Sequence, residues 1–432
     1  MRKRMFLDAT KTFECRFSTG IQRVVRELVR RGDLIGARLG VEVIPVVTSS
    51  RGYHRLDAAG LTRLLDPPPA TGGSIVAHSS FARRAKELLQ SNMRIYAMMQ
   101  RLSMGRRMAA LTADLTTIEV SSDDIVALID DFAGGSPSLS SIGKARRTGA
   151  ATIAIVYDLI PILHREMVPR PISYLFKRTF EQLAARVDGL IAISKSGADL
   201  IRAQPTVMKA GIPVTSFYLG QDLHVARGEL GAMTIPEDAW RGGPTFIMLG
   251  SIEPRKRHAA ALAAFTTLWN EGVAANLLMV GRVGWEVDTF IDETQRHPQY
   301  GKSLFLCHNV GDHELRDAMA RADATIMASK AEGFGLPIVE SLAFGVPVLA
   351  SDIPIFREVA GEAGCYFPPD DTAAFAAAIK GFIDRPDAYR AAAHAFRWID
   401  WDGAAIEFAA AVRVILDGSD TLPSAPNIAP RN

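Results

Sequence analysis

The chain has 432 residues, of which 48% are hydrophobic and 22% charged, and its formal net charge is +2. This length suits two domains rather than one core, and the nearly balanced charge gives no indication of nucleic-acid binding. The cysteines, Cys15, Cys307 and Cys365, are far apart and match no metal spacing, which predicts reduced thiols in a cytosolic protein. Asp8 interrupts the first apolar run, which argues against a signal peptide. No apolar stretch is long enough to span a bilayer, so any membrane contact is expected to be peripheral.

Short apolar runs alternate with helical patterns in the first half of the chain, which predicts parallel sheets built from strand–helix–strand units. The predicted strands are Met5–Asp8, Val41–Val47, Ser74–Ala77, Asp124–Ile129, Thr152–Val156, Gly189–Ile193 and Val214–Tyr218. The predicted helices include Ile21–Arg31, Phe81–Leu111 and Ile172–Arg186. The stretch Ala226–Pro244 is rich in Gly and Pro, which indicates an inter-domain linker.

A second α/β series follows this linker. Its predicted strands are Phe246–Leu249, Ala275–Val280, Ser303–Leu306, Ala324–Met327 and Val346–Ala350. Its predicted helices include Lys256–Trp269, His313–Arg321, Leu336–Phe344, a pair of helices within Thr372–Phe396, and Gly403–Leu416. We therefore predict domains at residues 1–235 and 244–400, a C-terminal helix over 401–417 that could cross back to the first domain, and a disordered tail over 418–432.

The strongest motif lies in the second half, between Ser329 and Glu340. A buried strand ends, a Gly-rich turn follows, and Pro337 stands where a helix is expected to begin. Glycines let the backbone approach a ligand closely, and the first N–H groups of a helix favour an anion such as a diphosphate. Glu332 and Glu340 can accept hydrogen bonds from the hydroxyl groups of a sugar and a ribose.

A second motif, Leu249–Arg257, follows the first strand of the second domain. It contains three adjacent cations, Arg255, Lys256 and Arg257, which could clamp a phosphate group. Taken alone, the motif could equally be a solvated basic turn. The glutamate motif in the same domain favours the clamp.

Together these residues resemble the retaining glycosyltransferases of family 4 (glycosyl transferases group 1), typified by bacterial mannosyltransferases. The resemblance implies an α/β protein with the GT-B architecture, in which two Rossmann-like domains face a central cleft. The family's Glu-x7-Glu motif matches Glu332 and Glu340, which implies that Glu332 contacts the donor hexose and Glu340 the ribose. The family's diphosphate-binding Arg/Lys pair corresponds to Arg255 and Lys256, whereas many members carry Arg where this chain has Ser251.

The resemblance extends to three further segments near the nucleotide, Gly281–Trp285, Asn309–Gly311 and Gly345–Ser351. In the first half, Thr19 and Gly20 resemble the family's glycine-containing loop near the transferred sugar. A Thr N-cap followed by Gly is the alternative interpretation of that pair. The residues predicted to contact the nucleotide sugar are Thr19, Gly20, Ser251, Gly311, Phe334, Gly335, Leu336 and Glu340.

Asp158 is the candidate acceptor-side group in the first half. It follows a predicted strand and Tyr157, which stands where related proteins often have His. The predicted catalytic set is therefore Glu332, Lys256, Arg255 and Asp158.

The predicted helix Phe81–Leu111 carries seven Arg or Lys residues against one acid, interleaved with five Met residues. Such a surface could lie on an anionic bilayer and receive a lipid-linked acceptor. The alternative is a long helix that packs its Met face on the core and leaves its arginines in solvent.

The motifs and the resemblance together predict a cytosolic hexosyltransferase with a nucleotide-diphosphate sugar as donor and a glycan or lipid-linked acceptor. The resemblance implies a GDP-mannose-type donor and a role in cell-surface polysaccharide or lipopolysaccharide synthesis. The sequence shows no acidic cluster for a metal, and we predict neither a metal nor another cofactor. The alternatives are a catalytically silent sugar-nucleotide-binding scaffold and a phosphorylase or epimerase on the same fold.

Overall fold

The computed structural model describes residues 3–15, 19–66, 93–133, 137–221, 234–308 and 310–418. These residues form two α/β units. The first unit extends to Gly220 and also contains the helix that begins at Trp401, whereas the second begins at Gln221 and ends at Asp400. The predicted strand Ser74–Ala77, residues 226–233 of the predicted linker and the tail beyond residue 418 lie outside the described residues.

The first unit contains an eight-stranded sheet in the order β4-β3-β2-β1-β5-β6-β7-β8. Its strands are β1 (Arg4–Asp8), β2 (Glu42–Ser49), β3 (Gly52–Arg55), β4 (Thr117–Ile118), β5 (Asp124–Leu128), β6 (Ala151–Val156), β7 (Gly189–Ala192) and β8 (Val214–Ser216). All neighbours pair in parallel except β3, which is antiparallel to β2 and β4. The six predicted strands among the described residues are confirmed to within two residues, whereas β3 and β4 were not predicted.

Strand β1 lies between β2 and β5, so the chain reverses its direction of travel across the sheet there. Ligands of open α/β sheets bind beside the carboxyl ends of strands at such a switch point. The central strands β5 and β6 are buried along their whole length, as expected for a parallel sheet covered on both faces.

Helices of the first unit pack against this sheet. They are α1 (Thr10–Glu14), α2 (Gly20–Arg30), α3 (Gly32–Leu39), α4 (Ala58–Leu65), α5 (Met93–Leu111), α6 (Ser138–Arg147), α7 (Ile160–Leu163), α8 (Arg170–Ala184), α9 (Lys195–Arg202) and α10 (Pro205–Ala210). Leu128 of β5 and Phe180 of α8 belong to one buried core. Phe132 and Phe176 add a ring contact at 5.0 Å.

The C-terminal helix α18 (Trp401–Asp417) packs on the first unit. Phe408 meets Phe217 at 5.4 Å between ring centroids, and Asp402 forms an ion pair with Arg31 at 2.7 Å. Gly189 of β7 makes this close packing possible, because a Cβ there would lie 2.5 Å from the side chain of Ile415. Helix α18 therefore completes the core of the first unit, although the residues directly before it in the sequence belong to the second unit.

The second unit contains a six-stranded parallel sheet in the order β11-β10-β9-β12-β13-β14. Its strands are β9 (Thr245–Leu249), β10 (Asn276–Val280), β11 (Leu304–Cys307), β12 (Ala324–Met327), β13 (Val348–Ser351) and β14 (Gly364–Phe367). Strand β9 lies between β10 and β12, so the switch point of this sheet is at the carboxyl ends of β9 and β12. The five predicted strands are confirmed to within two residues, and β14 was not predicted.

The helices of the second unit lie in alternation with its strands. They are α11 (His258–Asn270), α12 (Asp288–Arg296), α13 (Asp312–Arg321), α14 (Leu336–Ala343), α15 (Pro354–Ala360), α16 (Thr372–Asp384) and α17 (Pro386–Ala395). Phe246 of β9 makes edge contacts with Phe265 of α11 and Phe382 of α16, which join both helices to the sheet in one core. Among the described residues, no helix has the length and apolar character needed to cross a bilayer.

Candidate functional site

The two motifs of the second unit follow the two strands that flank its switch point. Arg255 and Lys256 lie in a 3-10 turn after β9, and Glu332 lies in the loop after β12. Because β9 and β12 pair in parallel, both loops leave the same edge of the sheet. The N–H of Lys330 donates to the carbonyl of Arg255 at 3.1 Å and ties one loop to the other.

Glu332 is at the centre of the cluster that results. Its Oε2 lies 2.7 Å from Nη1 of Arg255, its Oε1 contacts Nζ of Lys256, and the hydroxyl of Ser329 donates to Oε1 at 2.8 Å. The side chain of Glu332 is 10% exposed, and those of Arg255 and Lys256 are each 14% exposed. Arg255 and Lys256, which are predicted to bind the diphosphate, therefore both contact Glu332, which is predicted to contact the hexose.

The cations determine the charge state of this carboxyl group. Burial alone would raise the pKa of Glu332, but Arg255, Lys256 and the Ser329 hydroxyl outweigh burial and lower it to about 2. Glu332 is therefore ionised at neutral pH. It can accept a hydrogen bond from a ligand hydroxyl, and it cannot donate one.

Arg255 has further partners that hold it in place. Its Nη2 lies 2.5 Å from Oε1 of Glu253, a residue that is 4% exposed, and its Nη1 donates to the carbonyl of Ala331 at 2.7 Å. The guanidinium thus joins the β9 loop to the β12 loop. This network makes Arg255 a fixed element of the site, whereas Lys256 has a longer, flexible side chain.

Helix α14 begins beside this cluster, and Gly335 is its N-cap residue. Gly335 has a φ of +102°, which other residues rarely adopt, and a Cβ there would lie 3.0 Å from the ring of Phe356. Pro337 lies in the first turn, as predicted. Leu336 opens the helix, and Glu340 is half-buried in its second turn.

Phe334 has a side chain that belongs to the interior. It is 3% exposed, and its ring meets that of Trp398 edge-on at 5.9 Å. Phe334 could therefore contact a nucleotide only through its backbone atoms.

Loops after β9 and β10 run side by side, and Ser251 belongs to the first of them. The N–H of Ile252 donates to the carbonyl of Arg282 at 2.8 Å, and the N–H of Gly284 donates to that of Ile252 at 2.8 Å. Gly281 is needed for this approach, because a Cβ there would lie 1.7 Å from the carbonyl oxygen of Gly250. The segment Gly281–Trp285 was predicted to lie near the nucleotide by resemblance alone.

Backbone strain also marks these loops. Arg257 and Glu286, with φ of 59° and 55°, are the only non-glycine residues with positive φ in the described parts of the chain. Such conformations tend to occur at ligand sites, where the surrounding structure holds them. Nearby, burial lowers the pKa of His258 to about 3, and the positive charge of Lys256 adds a smaller effect in the same direction. The imidazole of His258 is therefore neutral.

Gly311 and its neighbours follow β11. Gly311 is the N-cap residue of α13, it is exposed, and its carbonyl accepts from the N–H of Leu315 at 2.8 Å. Asn309 of the same predicted segment lies outside the described residues. The imidazole Nδ1 of His308 lies 2.8 Å from the carbonyl oxygen of Gly281 and links this loop to the previous one.

The remaining predicted residues belong to the first unit. Thr19 is the N-cap residue of α2, and its N–H donates to Oε1 of Gln22 at 3.1 Å, so the capping interpretation describes its local contacts. Both Thr19 and Gly20 are exposed. Asp158 is half-buried after β6, and its Oδ1 accepts from the N–H of Ile160 at 2.9 Å.

Two buried acids at the switch point of the first unit had no role in the sequence prediction. Asp8 ends β1 and Asp130 follows β5, and they are 1% and 0% exposed. Asp8 accepts from the N–H of Thr10 at 3.1 Å, and Asp130 accepts from the N–H of Thr12 at 2.5 Å, so together they hold the first turn of α1. Burial raises the pKa of Asp8, and it raises that of Asp130 to about 7. An acidic residue at or just after the end of an apolar strand was the sequence feature that could have identified these two residues.

Neither a disulfide nor a metal centre emerges from the described part of the chain. Cys15, Cys307 and Cys365 are free thiols. Within the same residues, no three His, Cys, Asp or Glu side chains lie close enough together to hold a metal ion.

Solved structures with a similar fold include a sucrose-phosphate synthase and a protein in complex with UDP and glucose. Sucrose-phosphate synthase from Thermosynechococcus elongatus aligns with a TM-score of 0.61 at 16% identity and covers 97% of this chain and 100% of that protein. HepE of Anabaena, in complex with UDP and glucose, aligns with a TM-score of 0.55 at 14% identity and covers 96% and 98%. At these identities the likeness establishes the fold alone, and it confirms the predicted GT-B class.

Sequence comparison finds a family match within the second unit. Residues 237–397 match the family described as "Glycosyl transferases group 1". The chain is also 34% identical, over 301 residues, to a serotype-specific mannosyltransferase, WbdA, of Escherichia coli. That match covers 65% of this chain and 36% of WbdA. An O-antigen chain mannosyltransferase, RfbU, of Salmonella typhimurium is 41% identical over 87 residues, which are 20% of this chain and 24% of RfbU.

The match with the relative WbdA thus spans about a third of that protein's length. The resemblance to glycosyl transferases group 1 is confirmed for the segment that contains Arg255, Lys256, Glu332 and Glu340.

Proposed function

We propose that the chain is a retaining hexosyltransferase, of family 4, which moves a hexose from a nucleotide-diphosphate sugar to a glycan or lipid-linked acceptor. The observation that supports this best is the cluster of Arg255, Lys256 and Glu332 beside the start of α14, within the segment that matches glycosyl transferases group 1. The relatives named mannosyltransferases favour mannose as the hexose and a cell-surface polysaccharide as the destination. We place the reaction in the cytoplasm, with a GDP-mannose-type donor.

The two cations have different tasks in this proposal. Lys256 exchanges its contact with Glu332 for the donor diphosphate, which its flexible side chain allows. Arg255 stays with Glu253 and the Ala331 carbonyl and keeps Glu332 in position. Glu332, once released by Lys256, accepts a hydrogen bond from a hydroxyl group of the hexose.

Bond breaking leaves negative charge on the diphosphate. Lys256 and the first N–H groups of α14 stabilise that charge as it develops, which is where electrostatics lowers a barrier most. The acceptor oxygen forms its bond to the sugar on the face that the diphosphate leaves, and an oxygen of the departing phosphate takes the acceptor's proton. The configuration of the hexose is thereby retained.

Other predicted residues bind parts of the substrates. Glu340 accepts from the ribose hydroxyls, and the backbone of Gly335 and Leu336 approaches the diphosphate, while Ser251 and Gly311 line the nucleotide. In the first unit, Thr19 and Gly20 contact the transferred sugar and Asp158 serves the acceptor.

The decisive experiment separates the two glutamates. Glu340→Gln should weaken binding of the free nucleoside diphosphate and of the intact donor alike, because both contain the ribose. Glu332→Gln should keep or increase diphosphate affinity, because Lys256 loses a competing anion, yet lower turnover by about a hundredfold or more through lost orientation of the sugar. Calorimetry with the diphosphate, turnover of labelled donor and thermal melting measure the three properties.

Several outcomes would contradict the assignment. Full activity of Glu332→Gln would remove Glu332 from the reaction. Parallel loss of binding and of melting temperature in both variants would make the motif purely structural. Tight donor binding without transfer by the unmodified chain would identify a silent scaffold, and turnover that requires inorganic phosphate would identify a phosphorylase.

Metal dependence is a separate test of the same proposal. We expect transfer to continue in excess EDTA, because Lys256 and the α14 N-terminus take the part that a divalent cation has in metal-dependent transferases. Initial rates with labelled donor, with and without EDTA, measure this. Loss of activity that Mg²⁺ or Mn²⁺ restores would show that the cluster is insufficient.

A further inference from the structure

Exposed apolar side chains of the described residues are concentrated on one part of the first unit. Ten large hydrophobic side chains of the described residues are exposed, and six of them lie on α5, α7 and α8. Helix α8 contacts both α5 and α7. The six are Met98, Met99, Leu102, Leu163, Ile172 and Tyr174. Met98 and Leu102, each 55% exposed, are one helical turn apart and therefore lie on the same side of α5.

Helix α5 has one buried stripe. Met104 and Met108, 1% and 0% exposed, face the interior, whereas Leu102, Arg106 and Arg107 are exposed. The helix therefore packs some of its methionines on the core, as the core-helix interpretation expects, and leaves others in solvent. Residues 81–92 of the predicted helix lie outside the described residues.

Cations are interleaved with these apolar residues. Arg165, Arg170, Lys177 and Arg178 line an open cavity of about 810 Å³ along α8, together with Tyr174 and only two acids, Glu166 and Glu181. The sequence of α5 contains no acid at all. The helices α5, α7 and α8, together with the turn between α7 and α8, are called the basic-apolar surface below.

The basic-apolar surface borders the ligand-binding edge of the sheet. Helix α7 begins at Ile160, directly after the carboxyl end of β6. Arg107 of α5 lies 2.9 Å from Glu14 of α1, which follows the carboxyl end of β1. Since these strands are parallel, the surface reaches the edge at which an open α/β sheet binds its ligand.

We propose that the basic-apolar surface binds an anionic lipid bilayer. Arginine and lysine side chains interact with headgroup phosphates, while the exposed Met, Leu and Tyr side chains enter the boundary of the acyl region. A bilayer fits better than a nucleic acid because large aliphatic side chains stand among the cations, and better than a rigid protein partner because the cations and apolar residues spread over several helices. A lipid-linked molecule would thereby reach the carboxyl edge of the first sheet. The inference goes beyond sugar transfer and is tested without donor or acceptor.

The charge part of the proposal is tested with the full chain and sedimented phosphatidylcholine vesicles, with and without phosphatidylglycerol. The chain should bind only the anionic vesicles at low salt and leave them at high salt. Arg170→Gln combined with Arg178→Gln should weaken binding by about tenfold or more, because each cation near an anionic surface contributes to affinity. The matched control is Arg202→Gln combined with Lys209→Gln, on α9 and α10 of the same unit, which should bind as the unmodified chain does.

The apolar part has its own pair of variants. Met98→Gln with Leu102→Gln should remove the fraction of bound chain that resists high salt, and Leu200→Gln with Met208→Gln should not. All four exposed side chains are replaced by a good helix former, and circular dichroism checks that the fold is kept.

Three results would overturn the proposal. The first is equal binding to neutral and anionic vesicles, and the second is equal loss of binding in the test and control variants. The third is a lipid-free, concentration-dependent dimer that the Met98 and Leu102 changes abolish, which would make the surface a protein interface.

Discussion

Glu332 shows how this protein accommodates a nearly buried charge. Two cations neutralise it, and Glu253 in turn balances Arg255, so four side chains form one network of two acids and two bases. Removing one member of such a network leaves another charge unpaired, which is destabilising by about 3–5 kcal/mol when the site is dry. Substitutions at Arg255, Lys256 and Glu332 will therefore not be additive, and double-mutant cycles are needed to assign their effects.

Asp130 leads to a prediction about pH. Burial raises its pKa from 3.8 to about 7, so the folded chain retains a proton that the unfolded chain releases between these values. The stability of the protein should consequently fall as pH rises from about 4 to 7 and then become independent of this group. Asp130→Asn cannot ionise, so the loss of melting temperature between pH 5 and pH 8 should be smaller in the variant.

Melting curves across this pH range measure the effect. The matched control is Asp114→Asn on the surface, which should follow the unmodified chain. An identical pH dependence in Asp130→Asn and in the unmodified chain would show that Asp130 titrates normally.

The loops after β9, β10 and β12 are the elements on which the candidate site depends. Their positions are set by backbone contacts more than by side chains, as the hydrogen bonds of Ile252 and Gly284 show. Gly281 and Gly335 meet different requirements, since the first allows two backbones to touch and the second adopts a positive φ. A side chain at position 281 would displace the Gly250 carbonyl, and one at position 335 would displace the ring of Phe356.

Gly281→Ala should destabilise the protein by about 2–3 kcal/mol or more, because the new Cβ would overlap the Gly250 carbonyl and backbone must move. Gly381→Ala is the control, since Gly381 lies within α16 with no atom within 4 Å of the added Cβ. That change should stabilise the helix by about 0.5–1 kcal/mol. Urea unfolding measures both, and a Gly281→Ala variant as stable as the unmodified chain would disprove the close approach.

At the scale of the whole molecule, the chain does not divide into two consecutive halves. Helix α18 comes last in the sequence but packs on the first unit through Phe408, Ile415 and Asp402. Residues between Gln221 and Asp400 therefore form an insertion within the first unit. The first unit cannot complete its core until the last helix has been made.

Phe408→Ala should therefore weaken the first unit selectively. Phe408 is fully buried, and its truncation should cost about 3–5 kcal/mol. Hydrogen exchange should accelerate in β7 and β8 while β9 and β10 keep their protection. Phe382→Ala, an equally buried change in the core of the second unit, should show the opposite pattern. Equal acceleration in both units for either variant would show that they unfold as one.

The sequence alone determined most of the elements and the local motifs. Largely apolar runs of four to seven residues predicted the parallel strands, because strands buried on both faces carry apolar side chains along most of their length. Turn glycines and Pro337 predicted the start of α14 for local steric reasons. The strands β3, β4 and β14 escaped prediction, because they lie at or near sheet edges, are short and carry no strong apolar pattern.

Only the tertiary structure decided which of these elements meet. The order of strands brings β12 beside β9, and this neighbourhood pairs Glu332 with Lys256 across 76 positions of sequence and with Arg255 one position further away. Asp130 is buried only in the folded sheet. Helix α18 can pack on the first unit because Gly189 has no side chain that would collide with Ile415. Such contacts result from packing the whole chain, and neither spacing nor propensity specifies them, since both describe only neighbours along the sequence.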